Sequence, residues 1–169
     1  EGPARAVQGP VWSEIHAVHV WRWEDGPPLV RETVALRAHR ATATHRVVDL
    51  AIRCLALEGP VLLARRGARL YGGLNVRLGP IRDQRMVVPT EPEASPIRRA
   101  WAGISGIFPG GNAPSGLVIL QHPANPLHPG DWVQYPDLNW LQPTFPAAHT
   151  RFELQPGTPL VLRYRLWIH

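Results

Sequence analysis

The chain has 169 residues, of which 44% are hydrophobic and 18% are charged. This length is sufficient for one domain with a packed core, and the apolar content excludes a chain that is disordered throughout. The formal net charge is +5, there is a single cysteine, and no apolar run is long enough to span a bilayer, so an internal disulfide and a membrane-spanning helix are both excluded.

The positive charge comes entirely from arginine, because the chain contains no lysine. The arginines are scattered along the sequence, whereas a nucleic-acid surface needs them gathered on one face. We therefore expect no nucleic-acid partner and no membrane partner. Arginine in place of lysine, with abundant proline and alanine, indicates a GC-rich or thermophilic bacterial source. The first residues show no signal-peptide pattern, so an exported protein would already have lost its leader. The compartment stays open, with an exported or cell-surface location slightly favoured over the cytoplasm.

Strand periodicity dominates the chain from its first third onward. Apolar residues alternate with polar ones around residues 45–56 and again in the last eleven residues, "PLVLRYRLWIH". Turn sequences such as "EDGPP", "FPGGNAPSG" and "QPGTP" separate the segments. The further predicted strands are Ala17–Trp23, Leu29–Arg37, Val61–Ala64, Tyr71–Leu78, Trp101–Phe108, Gly116–Gln121 and Thr150–Leu154.

No segment shows the period of an amphipathic helix over three turns, and nineteen prolines disfavour long helices. Many short strands separated by turns are typical of an antiparallel β-sandwich. We predict an all-β, antiparallel sandwich or supersandwich with few or no helices, forming one domain over residues 1–169. Residues 1–28 are a possible peripheral segment of that domain, and "VVPTEPEASPIRRA" (87–100) is predicted to be a long loop.

The most distinctive stretch is "QHPANPLHPGDW", which follows an apolar strand and contains two His-Pro pairs. Proline fixes its own φ and pushes the preceding residue toward an extended conformation. The loop therefore holds His122, Asn125 and His128 at fixed angles. Such preorganisation suits a binding site. A rigid loop that closes one end of a sandwich is the alternative interpretation.

The residues around this loop favour carbohydrate as a ligand. Sugar sites stack aromatic rings on pyranose faces and direct Arg, Asn and Asp side chains to hydroxyl groups. Tryptophan in a β protein is also common in the core. The residues of suitable type are Trp132, Tyr135, Trp140, Asn125 and Asp131, with Trp101 and Arg77 supplied from other strands.

Other chemistries have weaker support in the sequence. His122 and His128 fit no standard zinc spacing, and His16 and His19 fall on opposite faces of a strand. A copper or zinc site completed by His169 stays an alternative. The chain has no G-x-S-x-G nucleophile motif and no glycine-rich phosphate loop. We predict no metal ligands and no cofactor.

Four motifs resemble, in the same order, those of the bacterial PmoA-like "methane oxygenase" family: "YGGLNVRL", "WAGISG", "SGLVILQHPANPLHPGDW" and "LVLRYRLWIH". The resemblance covers residues 33–169, the C-terminal portion of that family. It implies a supersandwich related to sugar mutarotases and no methane oxidation, because membrane methane monooxygenases are multi-helix membrane proteins. By resemblance, the motif positions that match are Arg77, His122, Asn125, His128 and Trp132.

The chain departs from the family pattern at several polar positions. Gln121 stands where the family has an aspartate before the first His-Pro, and Ala102 follows Trp101 where the family carries an acid. The residues after Trp132 are Gln134, Tyr135 and Pro136 in place of a basic residue. These departures imply altered or lost catalysis, a fragment of a longer chain, or a site completed by association.

Our leading hypothesis is a carbohydrate-binding or carbohydrate-processing domain with a groove beside loop 121–132. Any surviving catalysis would be sugar isomerisation or epimerisation, or glycoside processing, with proton transfer by His122 or His128. Besides a carbohydrate ligand, we expect self-association of the chain. The alternatives are a structural subunit of an extracellular filament or other homo-oligomeric assembly, and a histidine-ligated copper or zinc enzyme. The expected substrate-binding residues are Arg77, Asn125, Trp132, Tyr135 and Trp101.

Overall fold

The structure is a computed structural model that describes residues 2–66, 71–88 and 98–169. Within these residues it contains fourteen β-strands and one 3-10 helix, Pro136–Leu138. The strands are β1 (Arg5–Gln8), β2 (Trp12–Arg22), β3 (Pro28–His39), β4 (Arg46–Ala56), β5 (Val61–Ala64), β6 (Val76–Arg77), β7 (Arg82–Val87), β8 (Arg98–Arg99), β9 (Trp101–Ile107), β10 (Ser115–Gln121), β11 (Gly130–Tyr135), β12 (Trp140–Pro143), β13 (Arg151–Leu154) and β14 (Leu160–Ile168).

Eight strands form one large antiparallel sheet in the order β1-β2-β3-β4-β14-β10-β9-β7. The first four strands are a meander of consecutive neighbours, and the C-terminal strand β14 lies between β4 and β10. The C-terminal strand therefore joins the N-terminal meander to β10, β9 and β7. The all-β antiparallel fold predicted from the sequence is confirmed.

Two smaller sheets form a second layer, one with the order β6-β12-β11-β8 and one of β13 and β5. Strand β12 contacts β9, and β13 contacts β4. Leu141 and Leu154 of the second layer are almost fully buried against Ile119, Ile104 and Leu160 of the large sheet. We call the side of the large sheet that faces these strands its core face, and the opposite side its outer face.

Strict alternation makes β4 and β14 the clearest strands in the sequence. Leu50 pairs with Tyr164 and Cys54 with Leu160 on the core face, where all four are buried. Arg163 and Arg165 of β14 point to the outer face and are exposed. Because side chains alternate along a strand, the sequence identified both the strands and their two faces.

One predicted strand is wrong over most of its length. The segment Tyr71–Leu78 pairs as a strand only at Val76–Arg77, and Tyr71 forms an isolated bridge with Arg66. Gly73 has a φ of 76°, and a Cβ there would lie 2.6 Å from the carbonyl oxygen of Pro143. The chain turns at this glycine, in a conformation and a space that no other residue fits well.

The sequence did not predict β1, β7, β8, β11 or β12. Of the predicted loop 87–100, residues 89–97 lie outside the described residues. The other predicted strands correspond to β2, β3, β5, β9, β10 and β13, with ends that differ by a few residues.

The N-terminal segment 1–28 supplies β1 and β2 at one edge of the large sheet. The second layer does not cover this edge: Ile15 and Leu36 pair with each other on the core face and are 49% and 37% exposed. In the part of the chain that the structure describes, no helix is long and apolar enough to cross a membrane.

Candidate functional site

An open groove of about 590 Å³ lies on the outer face of the large sheet. Ligand pockets commonly have volumes of a few hundred to a thousand Å³, so this groove is large enough for a small molecule. Strands β2, β3, β4, β10 and β14 contribute to it, and the His-Pro loop after β10 forms one edge through His122 and Pro123.

Two alanines create the depression. Cross-strand register aligns Ala35, Ala51 and Arg163 on the outer face, with His16 beside Ala35 at the other end. The adjacent row carries Glu14, Arg37, Asp49 and Arg165, followed by Leu120. Small side chains next to a row of long charged ones leave a space with a flat apolar floor and polar walls.

The first carboxylate in the wall is Glu14, which is mostly buried although it lies on the outer face. It accepts a hydrogen bond from Nε of Arg37 and is paired with Nε2 of His16. Arg37 also lies 4.5 Å from the centre of the Trp12 ring. The hydrogen bond from Arg37 holds the pKa of Glu14 below its ordinary value, so this carboxylate is ionised at neutral pH.

Asp49 forms the second pair. Nε and Nη2 of Arg165 donate to its two oxygens at 2.7 and 2.9 Å, a bidentate arrangement, and Nε2 of His39 lies 2.8 Å from Oδ2. The hydrogen bonds from Arg165 lower the pKa of Asp49, and those same bonds raise the pKa of Arg165. Both carboxylates of the groove are therefore charge-paired acceptors and not proton donors at neutral pH.

His122 is exposed at the edge of the groove. The backbone N–H of Ala124 donates to its Nδ1 at 3.0 Å. The neutral ring must therefore carry its proton on Nε2. This tautomer makes His122 a hydrogen-bond donor toward a ligand, since proton abstraction at Nε2 would require the opposite tautomer.

Asn125 is buried and acts on the backbone of β14. Its Nδ2 donates to the carbonyl oxygen of Arg163, and its Oδ1 accepts from the N–H of Arg163, each at 2.8 Å. The backbone N–H of His122 donates to the same carbonyl at 3.1 Å. The His-Pro loop thus fixes Arg163, which lines the groove with an exposed side chain.

Two other predicted residues of the loop region face away from the groove. His128 is half-buried, lines no described cavity, and its Nε2 is buried without a hydrogen-bond partner. Trp132 donates from Nε1 to the carbonyl of Arg99 at 2.7 Å and packs against the core. Next to Trp132, Asp131 is buried in an ion pair with Arg65.

Arg77 and Tyr135 lie on the second layer, where Arg77, Trp140 and Tyr135 form one cross-strand row. Tyr71 stacks on Trp140 with ring centres 5.1 Å apart. Trp101 is on the outer face of the large sheet, opposite Leu120 of the charged row. The structure therefore brings His122 to the groove and Trp101 to the adjacent strand, and separates Arg77, Tyr135, Trp132 and His128 from it.

The described residues contain no group of three His, Cys, Asp or Glu side chains able to hold a metal ion. His169 stacks on Trp167 and pairs with Gly116, whereas His122 pairs with Arg163, six residues away along β14. At about 3.3 Å per residue, this separates the two histidines by roughly 20 Å. His16 and His19 lie on opposite faces of β2, as their spacing predicts.

Sequence reasoning did not identify most residues of the groove, namely Glu14, Ala35, Arg37, Asp49, Ala51, Arg163 and Arg165. The available signal was complementary charge on two strands whose polar faces were recognised: Asp49 on β4 and Arg165 on β14. The register that joins them was not readable from one sequence.

No curated protein and no solved structure is significantly similar to this chain. One family, however, matches nearly the whole chain. Because the family of unknown function DUF6807 matches residues 2–169, the chain belongs to that family.

Proposed function

We propose that the protein binds carbohydrate in the groove of the outer face. The observation that carries this proposal is the combination of an alanine floor with walls of paired ions and an imidazole donor. Ala35 and Ala51 offer a flat apolar surface, and His122 and Arg163 add donors at one edge.

Sugars need this mixture, because each ring presents an apolar C–H face and several hydroxyls that both donate and accept. The ionised carboxylates Glu14 and Asp49 are acceptors for hydroxyl protons, and their arginine partners restrict their orientation. A purely apolar ligand would remove water from these charged side chains. It could not replace the hydrogen bonds that the side chains make to that water, so its binding is unfavourable. The groove therefore suits a hydroxyl-rich ligand better than a lipid.

Binding fits the groove better than glycosidic cleavage does. Cleavage by the common route needs one carboxylic acid that is protonated and one that is ionised. Glu14 and Asp49 both have lowered pKa values, and His122 holds its proton on Nε2. We accordingly propose His122 as a hydrogen-bond donor to the ligand, and recognition as the primary activity.

The test is a glycan array followed by calorimetry on the best sugars, with wild type and the variant Ala51→Leu. Leucine fills the floor of the groove, so we expect affinity to fall at least tenfold. Ala64→Leu, on the exposed face of β5 in the second layer, is the matched control and should bind as wild type does. Absence of binding to any sugar, or equal binding by Ala51→Leu, would overturn the proposal.

Self-association is the second candidate, supported by the exposed apolar pair Ile15 and Leu36 at the uncovered edge of the core face. Light scattering coupled to size exclusion should then show an oligomer that Ile15→Arg dissociates. Leu62→Arg changes another exposed leucine, 57% accessible on β5, and should not affect it. A monomeric wild type would reject this candidate.

We also propose that the chain is related to the PmoA-like proteins. The support for this proposal is that its four motifs follow one another in the same order as in that family. In this chain Asn125 and His122 of the His-Pro motif form hydrogen bonds to the backbone of Arg163 and so position it at the groove. To test whether another PmoA-like protein uses the same contact, the residue at the position equivalent to Arg163 would be replaced by glutamate in that protein. Its sugar binding would then be measured.

A further inference from the structure

The charges that line the groove do not balance. Arg37 is paired with Glu14 and Arg165 with Asp49, but Arg163 has no ion pair and no side-chain hydrogen bond among the described residues. The groove therefore has one positive charge in excess, located beside His122.

Arg163 is positioned to bind an anionic group of a ligand in the groove. Asn125 holds its peptide group from one side, and Ala51 of β4 pairs with it on the other. The backbone at the root of the side chain is fixed by these contacts. Because Ala51 is short, the guanidinium has free space over the floor of the groove, and its planar donors match a carboxylate in a bidentate manner.

The surrounding surface has the same sign. On the outer face of β1–β4 and β14, the cross-strand registers place six exposed arginines and two carboxylates, Glu14 and Asp49. An excess of positive charge around a cleft raises the local concentration of anions and speeds their association. The arginines are Arg5, Arg31, Arg37, Arg53, Arg163 and Arg165.

From this surplus we infer that the ligand is a sugar acid with one carboxylate, such as a uronic acid. Arg163 binds the carboxylate as a fork, and Nε2–H of His122 donates a further hydrogen bond to the ligand. This inference rests on the proposed carbohydrate function and specifies its substrate class. A single excess charge matches a monoanion. A sugar phosphate, which carries up to two charges, shares the anionic chemistry and is separated by experiment.

The experiment compares glucuronate with glucose and galacturonate with galactose by calorimetry at low salt, with glucose 6-phosphate as a third probe. For wild type we expect each uronate to bind at least tenfold more tightly than its neutral sugar. Arg163→Gln should abolish that preference, so that each uronate binds no more tightly than its neutral sugar. Arg163→Lys should restore part of it, because lysine keeps the charge and loses the fork.

Arg31→Gln is the matched control, since it removes the same charge from the same face outside the groove. It should change uronate affinity by less than about twofold, whereas an equal loss in both variants would overturn direct recognition by Arg163. Circular dichroism and thermal unfolding check that each variant is folded.

The outcomes separate this inference from the function on which it rests. If neither sugar type binds, the carbohydrate function fails. If glucose and glucuronate bind equally, the function stands and the inference fails. Tighter binding of glucose 6-phosphate than of glucuronate rejects a carboxylate. Tighter binding of a DNA duplex, unaffected by Ala51→Leu, rejects a sugar acid and indicates a nucleic-acid surface.

Discussion

The side-chain amide of Asn125 pairs with both the N–H and the C=O of Arg163, at 2.8 Å each. Strand β10 ends at Gln121, and the prolines after it prevent further backbone pairing with β14. The side chain of Asn125 takes the place of that backbone pairing. A residue that composition suggested as a sugar ligand is buried and fully occupied with backbone. Its effect on the groove is exerted through Arg163.

Asn125→Ala should lower the free energy of unfolding by about 2 kcal/mol, because it removes two hydrogen bonds of a buried side chain and takes the acceptor away from the peptide N–H of Arg163. Urea unfolding of wild type and variant measures this. Asn75→Ala, which removes one exposed hydrogen bond to the carbonyl of Gly73, should cost less than about 0.5 kcal/mol. Equal costs for the two variants would show that the Asn125 contact does not hold the loop.

The ion pair of Arg65 with Asp131 is buried, with 4% and 7% of the two side chains exposed. Nε of Arg65 donates to the carbonyl of Pro146, and the N–H of Ala148 donates to Asp131, so the pair fastens β11 to the residues after β12. Arg65→Met removes the closer cation and should destabilise the protein by about 3 kcal/mol, since the buried carboxylate then keeps only the N–H of Ala148 and the longer ion pair with Arg98, at 3.5 Å.

Arg66→Met is the control for this pair, because Arg66 is the next residue and is exposed. It should change the free energy of unfolding by less than about 0.5 kcal/mol. Adding Asp131→Leu to Arg65→Met should recover part of the loss, as the buried charge is then gone. Additive losses in the double variant would contradict a coupled pair.

The fold was predictable where one face of a strand is buried, and much less so where pairing depends on distant residues. In β4 and β14 the alternation of Leu50, Cys54, Leu160 and Leu162 with polar residues identified strand and face together. Strands β11 and β12 are short, have few exposed positions, and are buried beside polar groups such as Asp131 and Gln142, so they lack that alternation.

The groove was hidden for a similar reason. His122 and its loop are local in sequence and were identified, but the other groove residues come from five strands whose order places β14 beside β4. Alanine carries no chemical signal of its own, and Ala35 and Ala51 form a floor only because register aligns them. Tryptophan was a misleading guide to location, because Trp132 is held against the core by its bond to Arg99.

The Asp49 pair predicts a specific dependence of stability on pH. The hydrogen bonds from Arg165 lower the pKa of Asp49 in the folded protein. The stabilisation is therefore fully present above the ordinary pKa of aspartate, near 4, and is lost as the pH falls through the lower folded value. Asp49→Asn should cost about 1 kcal/mol or less at pH 7, because the pair is partly exposed, and this cost should shrink below pH 4.

Unfolding in urea at pH 7, 5, 4 and 3 measures this difference for wild type and Asp49→Asn. Asp25→Asn, in the exposed turn between β2 and β3, is the control and should change the free energy of unfolding at pH 7 by less than about 0.5 kcal/mol. A cost of Asp49→Asn that grows as the pH falls would have the wrong sign for a lowered pKa and would contradict the pairing.

Cys54, the only cysteine, should be chemically inert in the folded protein. Its side chain is 4% exposed on the core face of β4, and burial, with a smaller effect of the charge on Glu32, raises its pKa to about 11. At pH 8 only about one thiol in a thousand is then ionised, and the thiolate is the reactive species. A chromogenic disulfide reagent should therefore modify less than about a tenth of the protein within an hour at pH 8, and all of it in guanidinium.

Ala64→Cys places a second thiol on the exposed face of β5 and should react with one equivalent while Cys54 stays protected. Rapid reaction of the native wild type would mean that β4 opens readily from the centre of the sheet, and the groove built on its other face would then lack a rigid floor.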